Sequence, residues 1–256
     1  MEILGIDIGA SGIKAAVVNA TTGDLLTDRV RRETPQPATP EAMMEILLEL
    51  IRGFEWRGPI GCGFPGIVKH GVIATAANLD PSWVGVNLEE SLRHSCACPV
   101  TVLNDADAAG LAEMRLGAGR ARDGVVIVLT IGTGIGSALF INGHHVPNTE
   151  LGHLRADANT PFEQLVSEAA RERLDLKWKE WAKGFSEYLN HLELLFSPDL
   201  FILGGGGSRK FEKFEKHLTV NTEIALARFL NRAGIIGAAM AATGSWRISA
   251  EANAGS

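Results

Sequence analysis

The chain has 256 residues, of which 46% are hydrophobic, and this composition supports a substantial core and two lobes. The formal net charge of −6 excludes a global basic field that would attract nucleic acid or an anionic membrane surface. Three cysteines are too few for a disulfide framework and suit a reducing compartment. The sequence shows neither a signal-peptide pattern nor an uncharged apolar span, so we expect a cytoplasmic protein.

The first part of the chain predicts strands followed by a helix. Residues 2–18 are typical of a strand, a tight glycine turn and a second strand, and a third strand is expected near Leu25 to Glu33. The prolines of residues 34–38 predict an extended link. Thr39 and Pro40 then predict the start of a helix whose apolar residues are spaced three and four apart.

An apolar strand over residues 99–103 ends at Asn104 and Asp105, and residues compatible with a helix follow. In open α/β sheets, ligands bind where such strands end. A carboxylate at this position can take a proton from a substrate hydroxyl, which makes Asp105 the candidate base. The alternative is that Asn104 and Asp105 only cap the helix.

Residues 125–141 repeat the opening pattern of strand, glycine turn and strand, with Thr130 at the position of Asp7. A duplication of this kind favours two related α/β lobes that face a cleft. Further helices are expected over residues 162–174 and 177–196, and the next strand runs into a glycine turn at residues 204–207.

We expect a small lobe over residues 1–112 and a large lobe over residues 113–233. A last helix, over residues 234–246, should pack back on the small lobe. The polar residues 247–256 predict a disordered tail.

Three glycine-rich turns each follow an apolar strand, which favours phosphate binding. Backbone N–H groups can hold phosphate oxygens where no Cβ intervenes and the backbone adopts unusual dihedral angles. A P-loop and a dinucleotide-binding Gly-x-Gly-x-x-Gly are both missing from the sequence. The phosphate-binding candidates in these turns are Gly9, Ser11, Gly12, Thr130, Gly132, Thr133, Gly134, Gly205 and Gly206.

Asp7 lies within an otherwise apolar strand, where an unpaired carboxylate would be costly to bury. We expect this carboxylate to face a phosphate-bound Mg²⁺ ion, either directly or through water. The alternative is that backbone donors satisfy it.

A candidate sugar-binding segment spans Pro147–Leu154, where Glu150 and His153 are three residues apart. Adjacent sugar hydroxyls need acceptors together with donors, and a carboxylate, an imidazole and the neighbouring asparagine supply both. A zinc site is the alternative because His144 and His145 are close in sequence, but no cysteine cluster completes it.

These motifs resemble those of the ROK sugar-kinase family, which has the ribonuclease-H-like (actin/hexokinase) fold with two α/β lobes and a cleft between them. The resemblance is carried by Asp7–Lys14, Gly63–Gly66, Leu103–Asp107, Thr130–Gly136 and Glu150–His153. Within the family, the chain is most similar to the polyphosphate glucokinase branch, over the segments Thr34–Pro40, Ala76–Gly85, Pro147–Glu150, Lys179–Lys183 and Gly204–Lys210.

The resemblance implies an enzyme that transfers the terminal phosphoryl group of inorganic polyphosphate, with ATP as a second donor, to the 6-hydroxyl of glucose. It implies Mg²⁺ as the cofactor, a homodimer, and Asp105 as the general base. The sugar-binding residues that it implies are Asn78, Asn104, Asp105, Glu150, His153 and Glu163. The residues implied to handle the donor and Mg²⁺ are Asp7, Lys14, Thr130, Gly132 and Thr133, to which we add Arg209 and Lys210.

The sequence departs from the family pattern at two places. Ala10 replaces the second glycine that is usual in the first phosphate turn. The cysteine-rich zinc motif is missing from Asp157–Val166, so we expect His153 to bind sugar and expect no zinc. The alternative functions are an ATP-dependent glucokinase or glucomannokinase and a non-catalytic sugar-sensing protein.

Polyphosphate is a long anion, so we expect a local basic track despite the acidic composition. The candidate groups are Arg115, Arg120 and Arg122; Lys177, Lys179 and Lys183; and Arg209, Lys210, Lys213 and Lys216. Each group is also typical of an ordinary solvated surface. The turn at Gly204–Lys210 could equally hold the adenosine of ATP.

Overall fold

A computed structural model gives the fold and describes residues 1–76 and 79–244. Contacts within the chain define two compact units. The first contains Met1–Asn104 and the described residues from Ile235 onwards, and the second contains Asp105–Gly234. Residues 105–112, which we expected in the small lobe, therefore group with the second unit. Within the described residues, no helix is long and apolar enough to cross a membrane.

The first unit is built on a five-stranded sheet. In chain order its elements are β1 (Glu2–Gly9), β2 (Gly12–Asn19), β3 (Val30–Arg32), α1 (Pro40–Gly53), β4 (Ile60–Phe64), β5 (Val68–Lys69), β6 (Val72–Ile73), α2 (Leu88–Cys96) and β7 (Val100–Asn104). The sheet has the order β3-β2-β1-β4-β7, and β5 pairs with β6 separately. β1, β4 and β7 run parallel, while β2 and β3 are antiparallel to their neighbours.

The third strand is shorter than the Leu25 to Glu33 segment that we expected. Leu25 makes only an isolated bridge to Val18. The amide of Val17 then donates to the hydroxyl of Thr27 at 3.0 Å, so a side chain replaces the backbone acceptor that a longer ladder would need.

Helix α1 forms as predicted. Its N-cap is Thr39, whose Oγ1 accepts the amide N–H of Ala42 at 3.3 Å, and Pro40 occupies the first helical position. The apolar face that the spacing predicted packs against the sheet, with Ile46 partly buried and the others buried: Met43, Leu47, Leu50 and Ile51.

The second unit is built on a sheet of the same design. Its elements are α3 (Asp105–Leu116), β8 (Val125–Ile131), β9 (Ile135–Ile141), β10 (His144–Val146), α4 (Glu163–Val166), α5 (Glu168–Arg173), α6 (Trp178–Phe196), β11 (Leu200–Gly204), α7 (Gly205–Ser208) and β12 (Glu223–Leu226). The sheet order is β10-β9-β8-β11-β12. Strand order and directions match those of the first sheet, which confirms the duplicated α/β pattern.

Two local predictions for the second unit were wrong. The helix expected over residues 162–174 is divided at Ser167, because this residue is extended and its hydroxyl accepts the N–H of Ala170 at 3.0 Å as the cap of α5. The glycine run at residues 204–207 does not form the expected turn, because Gly204 ends β11 and Gly205 begins the short helix α7.

The last helix, α8 (Ala233–Ala241), packs closely on the first sheet. A Cβ on Gly5 of β1 would collide with the carbonyl oxygen of Ile235, and one on Gly61 of β4 with that of Ala238. Glycine at these two positions therefore permits the helix to approach the strands. The helix ends at Ala241, earlier than the residue 246 that we expected, and the expected tail at 247–256 lies outside the described residues, which end at residue 244.

Candidate active site

The strand-to-helix junction has the predicted form, since β7 ends at Asn104 and α3 begins at Asp105. Asn104 is buried, and its Nδ2 donates to the carbonyl oxygen of Gly66 at 3.1 Å. Asp105 is half-buried, and its Oδ1 accepts the N–H of Ala106 at 2.8 Å.

The first glycine turn joins β1 to β2, with Gly9 opposite Gly12. Thr34 Oγ1 donates to the carbonyl oxygen of Gly9 at 2.6 Å, and Arg31 Nη2 donates to that of Ser11 at 2.8 Å. Two carbonyl oxygens of the turn are therefore bonded to donors within the protein, so they are not free to repel an incoming anion. This arrangement fits an anion-binding turn.

Most glycines of these turns are needed because a Cβ would collide with a neighbouring group. Unusual backbone dihedral angles, which we also expected, are found at only one of them. Among the glycine candidates, only Gly205 has a positive φ, 79°. A Cβ on Gly12 would lie 2.7 Å from Nε of Arg31, and one on Gly134 would lie 2.6 Å from Oε2 of Glu163. Gly132 has open space around it, but its N–H donates within the turn to Gly134 at 3.0 Å.

Asp7 forms an ion pair with Lys14, with Nζ 3.0 Å from Oδ2 and the aspartate side chain 16% exposed. The alternative was that backbone N–H groups satisfy this carboxylate. Instead, the charge of Lys14 offsets the cost of placing it in an apolar strand. The described residues contain no group of three or more His, Cys, Asp or Glu suited to a metal. Mg²⁺ commonly takes only one or two carboxylates and completes its shell with phosphate and water, so Asp7 fits an ion that arrives with a phosphate donor.

The second glycine turn and the glycine run at residues 204–207 lie side by side in the second unit. They follow the adjacent parallel strands β8 and β11, in which Thr130 is opposite Gly204. Gly205 approaches the backbone of Ile131 so closely that a Cβ would not fit. Arg209 and Lys210, which we expected at the donor, are exposed and directly follow the single turn of α7.

Glu150, His153 and Glu163 come together in the second unit. His153 Nδ1 lies 3.9 Å from Glu150 Oε2, and His153 Nε2 lies 3.3 Å from Glu163 Oε1. Burial raises the pKa of Glu150; His153 opposes this shift, while the charges of Asp107 and Glu163 add to it. The cluster thus holds two carboxylates and an imidazole, a set that can accept from and donate to hydroxyl groups.

The second carboxylate oxygen of Glu163 joins this cluster to a glycine turn. Glu163 Oε2 accepts the N–H of Ile135 at 3.4 Å and lies against Gly134. The same side chain therefore contacts His153 and the turn that we expected to bind phosphate. Asn78, another expected sugar ligand, lies outside the described residues.

Comparison with known proteins identifies the family of the chain. The model of the ROK family matches residues 3–170. The chain belongs to the ROK family. Among ROK relatives, the polyphosphate glucokinase of Mycobacterium tuberculosis (strain CDC 1551 / Oshkosh) is 48% identical over 238 residues, which cover 93% of this chain and 89% of the relative.

Two solved ROK structures show the same fold, which is the ribonuclease-H-like (actin/hexokinase) fold. The inorganic polyphosphate/ATP-glucomannokinase from Arthrobacter sp. strain KM superposes with a TM-score of 0.90 at 44% identity, covering 95% of this chain and 99% of the other. The ROK family glucokinase from Streptomyces griseus, solved with glucose and AMPPNP, has a TM-score of 0.84 at 25% identity, covering 95% and 100%.

Several contacts around these candidate residues were not predicted from the sequence. Arg31 and Thr34 hold the first glycine turn, although neither was a candidate. Ser137 on β9 donates to the carbonyl oxygen of Thr149 and accepts the N–H of Leu151 at 2.9 Å, so it holds both sides of Glu150. Of these residues, only Thr34 could have been found from the sequence, because it begins the Thr34–Pro40 segment that carries the resemblance to the polyphosphate glucokinase branch.

Proposed function

We propose that the chain transfers the terminal phosphoryl group of inorganic polyphosphate to the 6-hydroxyl of glucose, and that ATP is a second donor. The products are glucose 6-phosphate and a polyphosphate shorter by one unit. The relatives named polyphosphate glucokinase and polyphosphate/ATP-glucomannokinase support this choice. The observation that carries it is the contact of Glu163 with both His153 and the second glycine turn, because it puts groups suited to sugar hydroxyls beside a candidate phosphate site.

Asp105 is the proposed general base. Its carboxylate takes the proton of the 6-hydroxyl as the hydroxyl oxygen attacks the terminal phosphorus. The new O–P bond forms while the P–O bond to the rest of the donor breaks, and the leaving oxygen keeps the electron pair of that bond. The half-buried position of Asp105 at the start of α3 supports this role, since the helix and the preceding strand fix its place.

The sugar is assigned to Glu150, His153 and Glu163, together with Asn104. Substrate positioning supplies much of the catalysis in phosphoryl transfer, so these contacts matter for rate as well as for affinity. His153 lies 3.9 Å from Glu150 and 3.3 Å from Glu163, so neighbouring sugar hydroxyls could hydrogen-bond to more than one of these side chains.

Asp7 and Lys14 are assigned to the donor side. Asp7 would hold Mg²⁺ directly or through water, and the ion would neutralise charge on the phosphoryl group when bound. Lys14 adds a second positive charge, with its Nζ at 3.0 Å from Asp7 Oδ2. The proposal extends to a homodimer in the cytoplasm, which the family resemblance supports and which light scattering and cell fractionation would test.

Initial rates in a coupled assay of glucose 6-phosphate formation test the proposal. The donors are chain-length-defined polyphosphate and ATP, and the acceptors are glucose and mannose. We expect glucose to be phosphorylated from polyphosphate and more slowly from ATP. A rate with ATP alone would leave an ATP-dependent glucokinase or glucomannokinase, while glucose binding without turnover from any donor would leave a sugar-sensing protein.

A further inference from the structure

Three charged side chains form a row across the first sheet. Asp7 on β1 is opposite Lys14 on β2, and Lys14 is opposite Arg31 on β3. Directly opposite residues of antiparallel strands project from the same face of a sheet. The contacts agree, because Lys14 reaches Asp7 at 3.0 Å and the guanidinium of Arg31 lies against Gly12, two residues from Lys14 on β2.

This row carries more positive than negative charge. Asp7 offsets Lys14, whereas no carboxylate of the described residues lies within ion-pair distance of Arg31. Its hydrogen bond from Nη2 goes to a neutral group, the carbonyl oxygen of Ser11. Two cations directly opposite each other in a sheet repel, so the row would be stabilised by an anion bound on this face.

The neighbouring arginine is placed differently. Arg32 is opposite Ile13, a buried residue, and its Nε lies 3.2 Å from Glu49 Oε1 of α1. Adjacent residues of a strand project to opposite faces, so Arg32 lies on the α1 side of the sheet with a counter-charge. Arg31 lies on the other side, at the first glycine turn. The two arginines therefore share a strand and a charge but differ in environment.

We propose that Arg31 binds polyphosphate at a phosphate unit that ATP lacks, beyond the third phosphate from the transferred end, and so favours polyphosphate over ATP as the donor. This inference rests on the proposed function. A guanidinium presents a planar fork of donors that matches phosphate oxygens. Polyphosphate carries negative charge along its whole length, whereas the charge of ATP ends at its third phosphate, where the nucleoside begins. Arg31 belongs to none of the basic groups that the sequence analysis had considered.

The test compares wild type with Arg31→Gln and Arg32→Gln. Binding of chain-length-defined polyphosphate is titrated by calorimetry without glucose, and kcat/KM is measured with polyphosphate and with ATP. We expect Arg31→Gln to weaken polyphosphate binding roughly tenfold, since a hydrogen bond to a charged group contributes about that factor. Arg32→Gln should stay near wild type, and kcat/KM with ATP should fall less than with polyphosphate. Arg31→Lys, which keeps the charge, should restore part of the binding.

Equal polyphosphate binding by the two glutamine variants would overturn the proposal. The same holds if Arg31→Gln lowers kcat/KM equally for both donors, because Arg31 would then only support the turn. Thermal unfolding of each variant checks the fold, and a folded Arg31→Lys that binds as weakly as Arg31→Gln would also count against a charge effect. If wild type binds polyphosphate through Arg31 but does not phosphorylate glucose, the proposed function fails while this inference stands.

Discussion

His145 and Asp107 form a buried pair in which Nε2 of the histidine lies 2.9 Å from Oδ1 of the aspartate, and each side chain is 2% exposed. The histidine ring also packs beside Phe140, with ring centroids 5.1 Å apart. Asp107 Oδ2 accepts the N–H of Asn148 at 2.8 Å. The carboxylate of α3 thereby holds the segment that leads to Glu150, and His145, considered above as a zinc ligand, has an aspartate as its partner.

The Asp107→Asn variant should weaken glucose binding. An amide cannot accept from both His145 and the N–H of Asn148 as the carboxylate can, so the segment before Glu150 should shift. We expect the KM for glucose to rise about tenfold and the KM for the donor to change less. Asp157→Asn is the matched control, because that exposed carboxylate also accepts backbone N–H groups, from Asn159 and Thr160. Equal effects on the two KM values would remove Asp107 from a sugar-positioning role.

Replacing Asp105 should slow the chemical step. A positioned general base contributes roughly 10²- to 10⁴-fold, so Asp105→Ala should lower kcat by about that factor or more. Glucose affinity, measured by calorimetry without donor, should stay close to that of wild type. Asp105→Asn keeps the side-chain size and should be as slow as the alanine variant. Ordinary turnover in either variant would exclude Asp105 as the base.

The position of the junction could be predicted because it depends on residues that are neighbours along the chain. The apolar run, the polar pair at Asn104 and Asp105 and the small residues after them all carry one local signal. Ser167 carries a similar local signal as the cap of α5, and we missed the break because the apolar pattern continues on both sides of it. An element boundary can therefore be predicted where all the local signals indicate the same boundary. It is missed where a cap residue competes with an apolar pattern that continues past it.

The contacts of Arg31 and His145 could not be predicted in this way. They depend on which residues face each other across strands and helices that are distant in sequence, and composition does not specify that register. Asp7 and Lys14 are an intermediate case. Gly9 and Gly12 close a tight turn, so the residues two positions outward on each side are opposite each other, and this ion pair was within reach of the sequence.

Glu150 should make stability depend on pH. Burial raises the pKa of its carboxyl group above the ordinary 4.5, so the folded protein holds the proton at pH values where the unfolded chain has lost it. The free energy of unfolding should therefore fall as the pH rises from 4.5 towards the folded pKa. Glu150→Gln, which cannot ionise, should gain stability over wild type as the pH is raised from 4 to 7 in thermal unfolding without sugar. A gain that shrinks over this range would contradict the assignment. The same variant should bind glucose more weakly.

Glu113 is a buried carboxylate, 1% exposed, that accepts three N–H groups from two separate stretches of the second unit's backbone. Its Oε2 accepts the N–H of Ala118 at 3.1 Å and that of Arg228 at 3.0 Å, and Oε1 accepts the N–H of Phe229 at 2.8 Å. The carboxyl-terminal end of α3 is thus tied to the segment that precedes α8.

Glu113→Ala should be strongly destabilising, because it removes the acceptor of three backbone N–H groups. A buried donor left without a partner costs about 1–3 kcal/mol. The contacts of Ala118 and Arg228 are only partly buried, so water can meet part of their loss, and the free energy of unfolding in urea should fall by about 3–5 kcal/mol. Glu113→Gln keeps one oxygen but turns an amide donor towards another N–H, so it should lie between alanine and wild type. The matched control is Glu187→Ala, an exposed glutamate of α6, which should change stability by less than about 0.5 kcal/mol. If the two alanine variants lost similar amounts of unfolding free energy, the three hydrogen bonds of Glu113 would contribute little to stability.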